Sequence, residues 1–271
     1  MRFGAVKKFG HQTIGKKTGA KSSIAGAMDM HKNYSYAIAI GDKTKAHFSE
    51  AFNMQKDKIE LIGMPRIDYI LSEDAEKNET IYEKYPRLKE KKNILYVPTF
   101  RKNQVNLMNE IYEKFDFEKY NLVITYHPLD KSKKEKQNPI NEKAVVIIDK
   151  DIVIYDLYKL CDVIITDYSA ASLEASILEK PIYFYLYDVD KYMEDPGLNT
   201  DLFEEMPNCT SKSFDEIMGW IKQDEYNLDW VKDYRDTYFD IDLEQNCTEI
   251  LAKFILEGEI SETQKVTYEH S

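Results

Sequence analysis

The chain has 271 residues, a formal net charge of −11 at pH 7 and 43% apolar residues, which suffices for one large domain or two small ones, each with a core. That acidity argues against general nucleic-acid binding, which wants a basic face. The three cysteines, Cys161, Cys209 and Cys247, lack metal-ligand spacing and give no paired disulfide framework. A reducing compartment is their simplest home, and none reads as a nucleophile.

The opening MRFGAVKKFGHQTIGKK is charged without an apolar core of the signal-peptide kind, and no run approaches the roughly 18 apolar residues of a spanning helix. The expectation is a soluble or membrane-peripheral protein. Lysines bunch at Lys7, Lys8, Lys16, Lys17 and Lys21 and again at Lys131, Lys133, Lys134 and Lys136. Such runs are either solvated surface or a seat for a phosphate polymer or an anionic lipid.

Residues 1–33 are rich in Gly, Lys and Ser without a clear period. From Tyr34 the pattern becomes regular: SYAIAI predicts a strand, Lys43 to Phe52 a helix, IELIG a second strand, and GMPRIDYIL a Gly-Pro turn opening a short helix that carries Arg66 and Asp68. The charged stretch from Ser72 to Lys92 predicts a helix stopped near Pro86 and then a linker, the expected domain boundary. Beyond it strands alternate with helices: NILYVPTF, Val105 to Phe115, NLVITYHP, VVIID and Ile154 to Leu160. Then comes DVIITDYSAASLEASILEKPIYFYLY, read as a strand over Val163 to Thr166, a turn to Ser169, a helix from Ala170 to Leu178 and a strand from Pro181. This alternation predicts an α/β fold with a doubly wound parallel sheet, which binds ligands beyond the carboxyl ends of its strands. The acidic, aromatic stretch after Tyr187 reads as an ordered loop, followed by helices over Ser213 to Lys222 and Glu244 to Leu256.

Three polar motifs occupy strand ends. Ser169 and the helix start behind it offer a hydroxyl and backbone N–H groups to a phosphate, with Glu174 one turn on facing sugar hydroxyls; the plainer alternative is an N-cap and a solvated glutamate. His127, held extended by Pro128, either packs structurally or serves a pyrophosphate as proton donor. Pro98-Thr99 supplies a rigid turn and a hydroxyl. Arg66 is either a surface ion-pair residue or a bidentate phosphate clamp. No phosphate-binding P-loop, dinucleotide fingerprint or nucleophile elbow occurs.

Taken together and in order, GMPRIDYIL, ILYVPTFRKN, ITYHP and CDVIITDYSAASLEASILEKPIYFYLYD resemble the CDP-glycerol glycerophosphotransferase family, the teichoic-acid primases and polymerases, over roughly Val6 to Phe254. The resemblance implies a GT-B-like fold and transfer of glycerol phosphate from CDP-glycerol to a lipid-linked polyol-phosphate acceptor. It places the protein at the cytoplasmic face of an anionic membrane, with no metal, cofactor or nucleic-acid partner. By position it assigns donor binding to Arg66, Pro98, Thr99, Thr125, Tyr126, Ser169, Ala170 and Glu174, and catalysis to His127. Ala170 stands where the family usually has a second serine, and Glu174 where it has aspartate.

Members also carry a catalytic Trp-His pair shortly before a stretch like GAVKKFG, where this sequence begins with Met1-Arg2-Phe3. The resemblance thus implies that residues 1–71 are the remnant of an acceptor-side domain, 72–256 a CDP-alditol-binding domain and 257–271 a polar tail. It implies in turn that donor binding outlasts transfer in this chain. A CDP-ribitol ribitolphosphotransferase, a GT-B nucleotide-sugar glycosyltransferase or epimerase, and an inactive nucleotide-binding fragment are the alternative readings.

Overall fold

The computed structural model describes residues 6–17, 19, 30–99, 105–125 and 143–258. Its packing divides the chain into two units, one of residues 1–71, 188–201 and 232–271 and the other of residues 72–187 and 202–231.

In the first unit, strand β1 (Ala37–Ala39), a helix (Asp42–Phe52) and strand β2 (Ile59–Leu61) make a parallel βαβ element, with Ala37 opposite Ile59 and Ala39 opposite Leu61. Ala37, Ala39, Phe48 and Ile59 form its core, and the Phe9 ring packs edge-on 5.8 Å from Phe48 and 5.5 Å from Phe52. A short helix, Pro65–Leu71, opens on a proline whose fixed φ suits a first turn.

Two later segments return to this unit. Residues 188–201 bridge antiparallel through Leu198 and Lys7, with the Lys8 N–H donating to Gly197 O at 3.0 Å and the Asn199 N–H to Val6 O at 2.9 Å. In the second segment the Asp240 N–H donates to Ile40 O at 2.9 Å, and its carboxylate accepts the Asp42 N–H at 2.7 Å. Gly41 lies under this segment, where a Cβ would stand 2.3 Å from Tyr238 O. Gly63 is equally constrained, because a Cβ there would lie 2.1 Å from Cys247 Sγ at the start of the helix Cys247–Glu257.

The second unit holds one six-stranded sheet of β3 (Lys92–Val97), β4 (Tyr120–Thr125), β5 (Val145–Ile147), β6 (Val163–Thr166), β7 (Ile182–Tyr185) and β8 (Thr210–Ser211). The order is β5-β4-β3-β6-β7-β8 and every neighbouring pair is parallel. Consecutive strand residues point to opposite faces, so the complete burial of Ile94-Leu95, Leu122-Val123 and Ile164-Ile165 requires cover on both faces. The chain builds outward from β3 to β5, then returns to lay β6 beside β3. This is the doubly wound arrangement expected from the sequence.

The amino ends of these strands are tied by polar side chains. Asn93 Nδ2 donates to Leu88 O and Asn121 Nδ2 to Asn93 Oδ1, both at 2.9 Å, and the Asn93 N–H donates to the Asp162 carboxylate at 2.7 Å. Lys180, just before β7, gives its ammonium protons to the carbonyls of Tyr158, Lys159 and Cys161 and so closes the carboxyl end of the helix Ile154–Leu160. Burial pulls this ammonium below the usual lysine range, while a helix carboxyl end favours a cation. Replacing Lys180 with methionine is expected to cost about 2 kcal/mol in urea unfolding, since the carbonyls lose a charged donor. An unchanged midpoint would mean that water satisfies them as well.

The structure departs from the sequence expectations in several places. Residues 188–201 and 232–258 pack with the first unit instead of continuing a 72–256 domain, because their partners are Val6, Ile40, Asp42 and Asp68. The stretch after Tyr187 forms the helices Val189–Glu194 and Leu202–Glu205 where a loop was expected. The unexpected helix Leu228–Asp236 buries Val231 and Tyr234. The helix after Ser169 is shorter than expected, Ala171–Ser176, and ends in a turn in which Glu179 is left-handed at φ 52. Of the expected tail only Glu257 and Gly258 fall among the described residues. No helix among the described residues is long and apolar enough to cross a membrane.

Candidate functional site

Where a doubly wound sheet reverses its strand order, the loops leaving the two central strands diverge and open a crevice at their carboxyl ends. Here that point lies between β3 and β6, which run in register with Val97 opposite Thr166. The loops that leave them begin with Pro98-Thr99 and with Asp167-Tyr168-Ser169, so two of the three polar motifs meet at one place.

They are also bonded to one another. The Thr166 hydroxyl donates to Val97 O at 2.7 Å. Oδ1 of Asp167 accepts both the backbone N–H and the hydroxyl of Thr99, each at 2.8 Å. Asp167 is buried, whereas Pro98, Thr99, Ser169 and Ala170 are half-buried. Asp167 was not singled out from the sequence; a carboxylate directly after a strand and between hydroxyl residues was the available signal.

Ser169 sits just ahead of the helix Ala171–Ser176. Its Oγ accepts the Ala171 N–H at 3.3 Å, and its carbonyl accepts the Ser172 N–H and hydroxyl at 3.2 and 3.0 Å. A serine oxygen used as an acceptor still has its own proton to give. Six residues carry only part of a helix dipole, so the hydroxyl and nearby N–H groups matter more here than the helix as a whole.

Glu174 lies in the same helix and is 7% exposed, which excludes a solvated surface residue. Its Oε2 accepts the Tyr158 hydroxyl at 3.1 Å, and Tyr158 on the helix Ile154–Leu160 is itself fully buried. No local pattern announces this pairing, because the partner stands on a different helix. Thr125 ends β4, the strand next to β3, and is half-buried. Tyr126 and His127 lie outside the described residues. Arg66 belongs to the first unit, half-buried at the second position of the helix Pro65–Leu71.

Burial pushes the thiols of Cys209 and Cys247 up to about 12, the Asp68 carboxylate adding to the effect at Cys247, and it pushes Cys161 higher still. Thiols in that range are protonated at neutral pH and do not act as nucleophiles. Among the described residues no group of three or more His, Cys, Asp or Glu side chains is placed to hold a metal ion.

The family model for CDP-glycerol:poly(glycerophosphate) glycerophosphotransferase matches residues 3–256. The teichoic acid poly(ribitol-phosphate) polymerase of Bacillus spizizenii is 29% identical over 265 residues, covering 91% of this chain and 40% of that protein. The teichoic acid glycerol-phosphate primase of the same organism is 30% identical over 243 residues, covering 84% of this chain and 62% of that one. Among solved structures, the wall teichoic acid polymerase TagF superposes with a TM-score of 0.71 at 20% identity, over 98% of this chain and 67% of that chain. That likeness shows a shared GT-B-like fold. This chain spans about half the length of the curated relatives named here.

Proposed function

This chain belongs to the CDP-glycerol:poly(glycerophosphate) glycerophosphotransferase family, and on that premise we propose that it binds CDP-glycerol in the crevice between β3 and β6. Its role is then the transfer of glycerol phosphate to a lipid-linked polyol-phosphate acceptor, in teichoic-acid or related cell-surface polymer synthesis. The observation that supports this reading is the pair of hydroxyl-bearing strand ends, Thr99 after β3 and Ser169 after β6, joined by the Thr99–Asp167 bonds at the point where the sheet reverses.

In the reaction the acceptor's terminal hydroxyl oxygen attacks the glycerol-bearing phosphorus. The bond from that phosphorus to the CMP oxygen breaks, CMP leaves, and the hydroxyl proton passes to a base. The Ser169 hydroxyl and the Ala170 backbone serve the pyrophosphate, and the family resemblance assigns a phosphate-binding role to Arg66 and a proton or hydrogen bond to the His127 imidazole. Pro98, Thr99 and Thr125 stand at the strand ends, Tyr126 is assigned to donor binding by the family resemblance, and Glu174 takes the ribose hydroxyls. The scheme draws on no metal or cofactor. The working location is the cytoplasmic membrane face, where the acceptor's lipid is held and an anionic surface is at hand.

CDP-ribitol is the competing donor, because the two relatives of nearly equal identity are named for different alditols. Thermal unfolding of the purified chain with each CDP-alditol, CMP and UDP-N-acetylglucosamine discriminates among these. A CDP-alditol at a hundred times its Kd is expected to add about 2.7 kcal/mol of stability, and incubation with an acceptor is expected to release CMP. Stabilisation by the UDP-sugar and by no CDP-alditol would move the reading to nucleotide-sugar chemistry on the same fold.

A further inference from the structure

Two half-buried histidines from separate stretches of the first unit share one aromatic cluster. The His31 ring centroid lies 5.0 Å from that of Phe52, 5.1 Å from Tyr34 and 6.1 Å from His11. His11 belongs to the helical turn Gly10–Thr13, and its Nε2 stands 3.1 Å from Met30 O; a carbonyl only accepts, so that nitrogen carries a proton and donates it. His31 is left-handed at φ 68, a conformation few residues with a side chain adopt. Gly10, also left-handed, allows the close approach, since a Cβ there would clash with Ala51 O and stand 3.4 Å from His31 Nε2. Ala51 and Phe52 end the helix Asp42–Phe52, whose carboxyl end favours one positive charge. A second imidazolium beside the first would be repelled by it.

The other charged groups on these elements do not relieve that repulsion. Near His11, Lys16 gives its ammonium to Glu194 O at 2.6 Å, and the Lys8 stem runs beside Gly197. On the helix, Glu50 takes Gln12 Nε2 at 2.9 Å, while Asp42, Lys43, Lys45 and His47 lie at least one turn back toward its start. Lys32 adds a further positive charge next to His31 in the chain. Burial, and then the neighbouring His11, hold the His31 imidazole below the usual histidine range.

We propose that His11 and His31 form a one-proton pair, an acid-sensitive latch that holds residues 30–34 against the helix Asp42–Phe52 and releases them when acidification charges both rings. The folded chain resists the second proton and the unfolded chain does not. Stability is therefore full above about pH 6.5 and falls as the medium acidifies past that value. The Tyr34 N–H, which donates to His31 O at 3.0 Å, reports the latch locally.

The test follows the histidine ring protons and the Tyr34 amide of the full chain by NMR from pH 8 to pH 5, in the parent, in His11→Gln and in His31→Asn. Asparagine is chosen because it tolerates the left-handed backbone. In the parent, His31 is expected to titrate below about 6.5, and in His11→Gln its midpoint is expected to move up. Protection of the Tyr34 amide, corrected for the intrinsic pH dependence of exchange, is expected to fall about tenfold in the parent between pH 7 and pH 5. Loss of either ring is expected to remove more than about half of that fall. Asp29, two positions before His31 in sequence, is the same in all three chains, so their differences read the imidazole pair. A His31 midpoint that is unmoved by His11→Gln overturns the latch. Where a variant does not fold, the parent decides: a His31 midpoint at or above about 6.5, or Tyr34 protection unchanged down to pH 5, overturns it as well.

Discussion

Alanine in place of Asp68 is expected to lower the unfolding free energy by about 2 kcal/mol, the scale of a lost helix cap with charge-assisted bonds. Asp68 accepts the backbone N–H of Cys247 at 2.9 Å and of Thr248 at 2.8 Å, together with the Thr248 hydroxyl. Asn246 accepts the next N–H, that of Glu249, at 2.9 Å. The first turn of the helix Cys247–Glu257 therefore has its open donors satisfied by two side chains, one of them about 180 residues away. Cys247 is buried, so its N–H finds little water once the carboxylate is gone.

The same tie has a pH signature. Burial by itself would raise the Asp68 carboxyl, but the bonds from Thr248 and Cys247 outweigh it and hold it below the usual carboxylate range. A folded pKa below the unfolded one gives stability that is complete above about pH 4 and is lost as pH falls through the folded value. Urea midpoints of the parent and of Asp68→Asn, measured from pH 6 down to pH 2, should therefore converge on acidification. Two parallel curves would show that the carboxylate contributes nothing through its charge.

Replacing Glu174 with alanine is expected to weaken CDP-glycerol binding at least about tenfold, since donor hydroxyls would lose a charged acceptor. The carboxylate is buried and its Oε2 takes the Tyr158 hydroxyl, so the same change also carries a folding cost of about 1 to 3 kcal/mol. Tyr158→Phe separates the two roles, because it deletes that internal bond and keeps the carboxylate. Binding is expected to fall in Glu174→Ala far more than in Tyr158→Phe, with both destabilised. If both variants bind like the parent, Glu174 serves only to join two helices.

Strands β3 to β7 were legible because each is a short, mostly apolar run, and two of the turns after them carry their own chemistry, Pro98-Thr99 after β3 and Asp167 to Ser169 after β6. Local pattern has no access to bonds made across long separations. The returns of 188–201 and 232–258 to the first unit depend on Asp240 with Asp42 and on Asp68 with Thr248, about 200 and 180 residues apart in sequence. The helix Leu228–Asp236 was missed although Val231 and Tyr234 stand at helical spacing and are buried; its many charges masked the stripe. At the crevice the hydroxyls were readable and the carboxylate that holds the one on Thr99 was not. The direction of a hydrogen bond is a property of the assembled pair, and neither residue announces it alone.

The clasp around position 247 also bears on the turn that leads to Arg66. Gly63 lies against the Cys247 sulfur three residues before that arginine, and Asp68, two residues after it, accepts the amides of Cys247 and Thr248. A stretch near the far end of the polypeptide thus anchors the backbone that carries Arg66. Shortening the protein ahead of Asn246 would remove both anchors at once and loosen the turn from Gly63 to Asp68, whatever its effect on the six-stranded sheet.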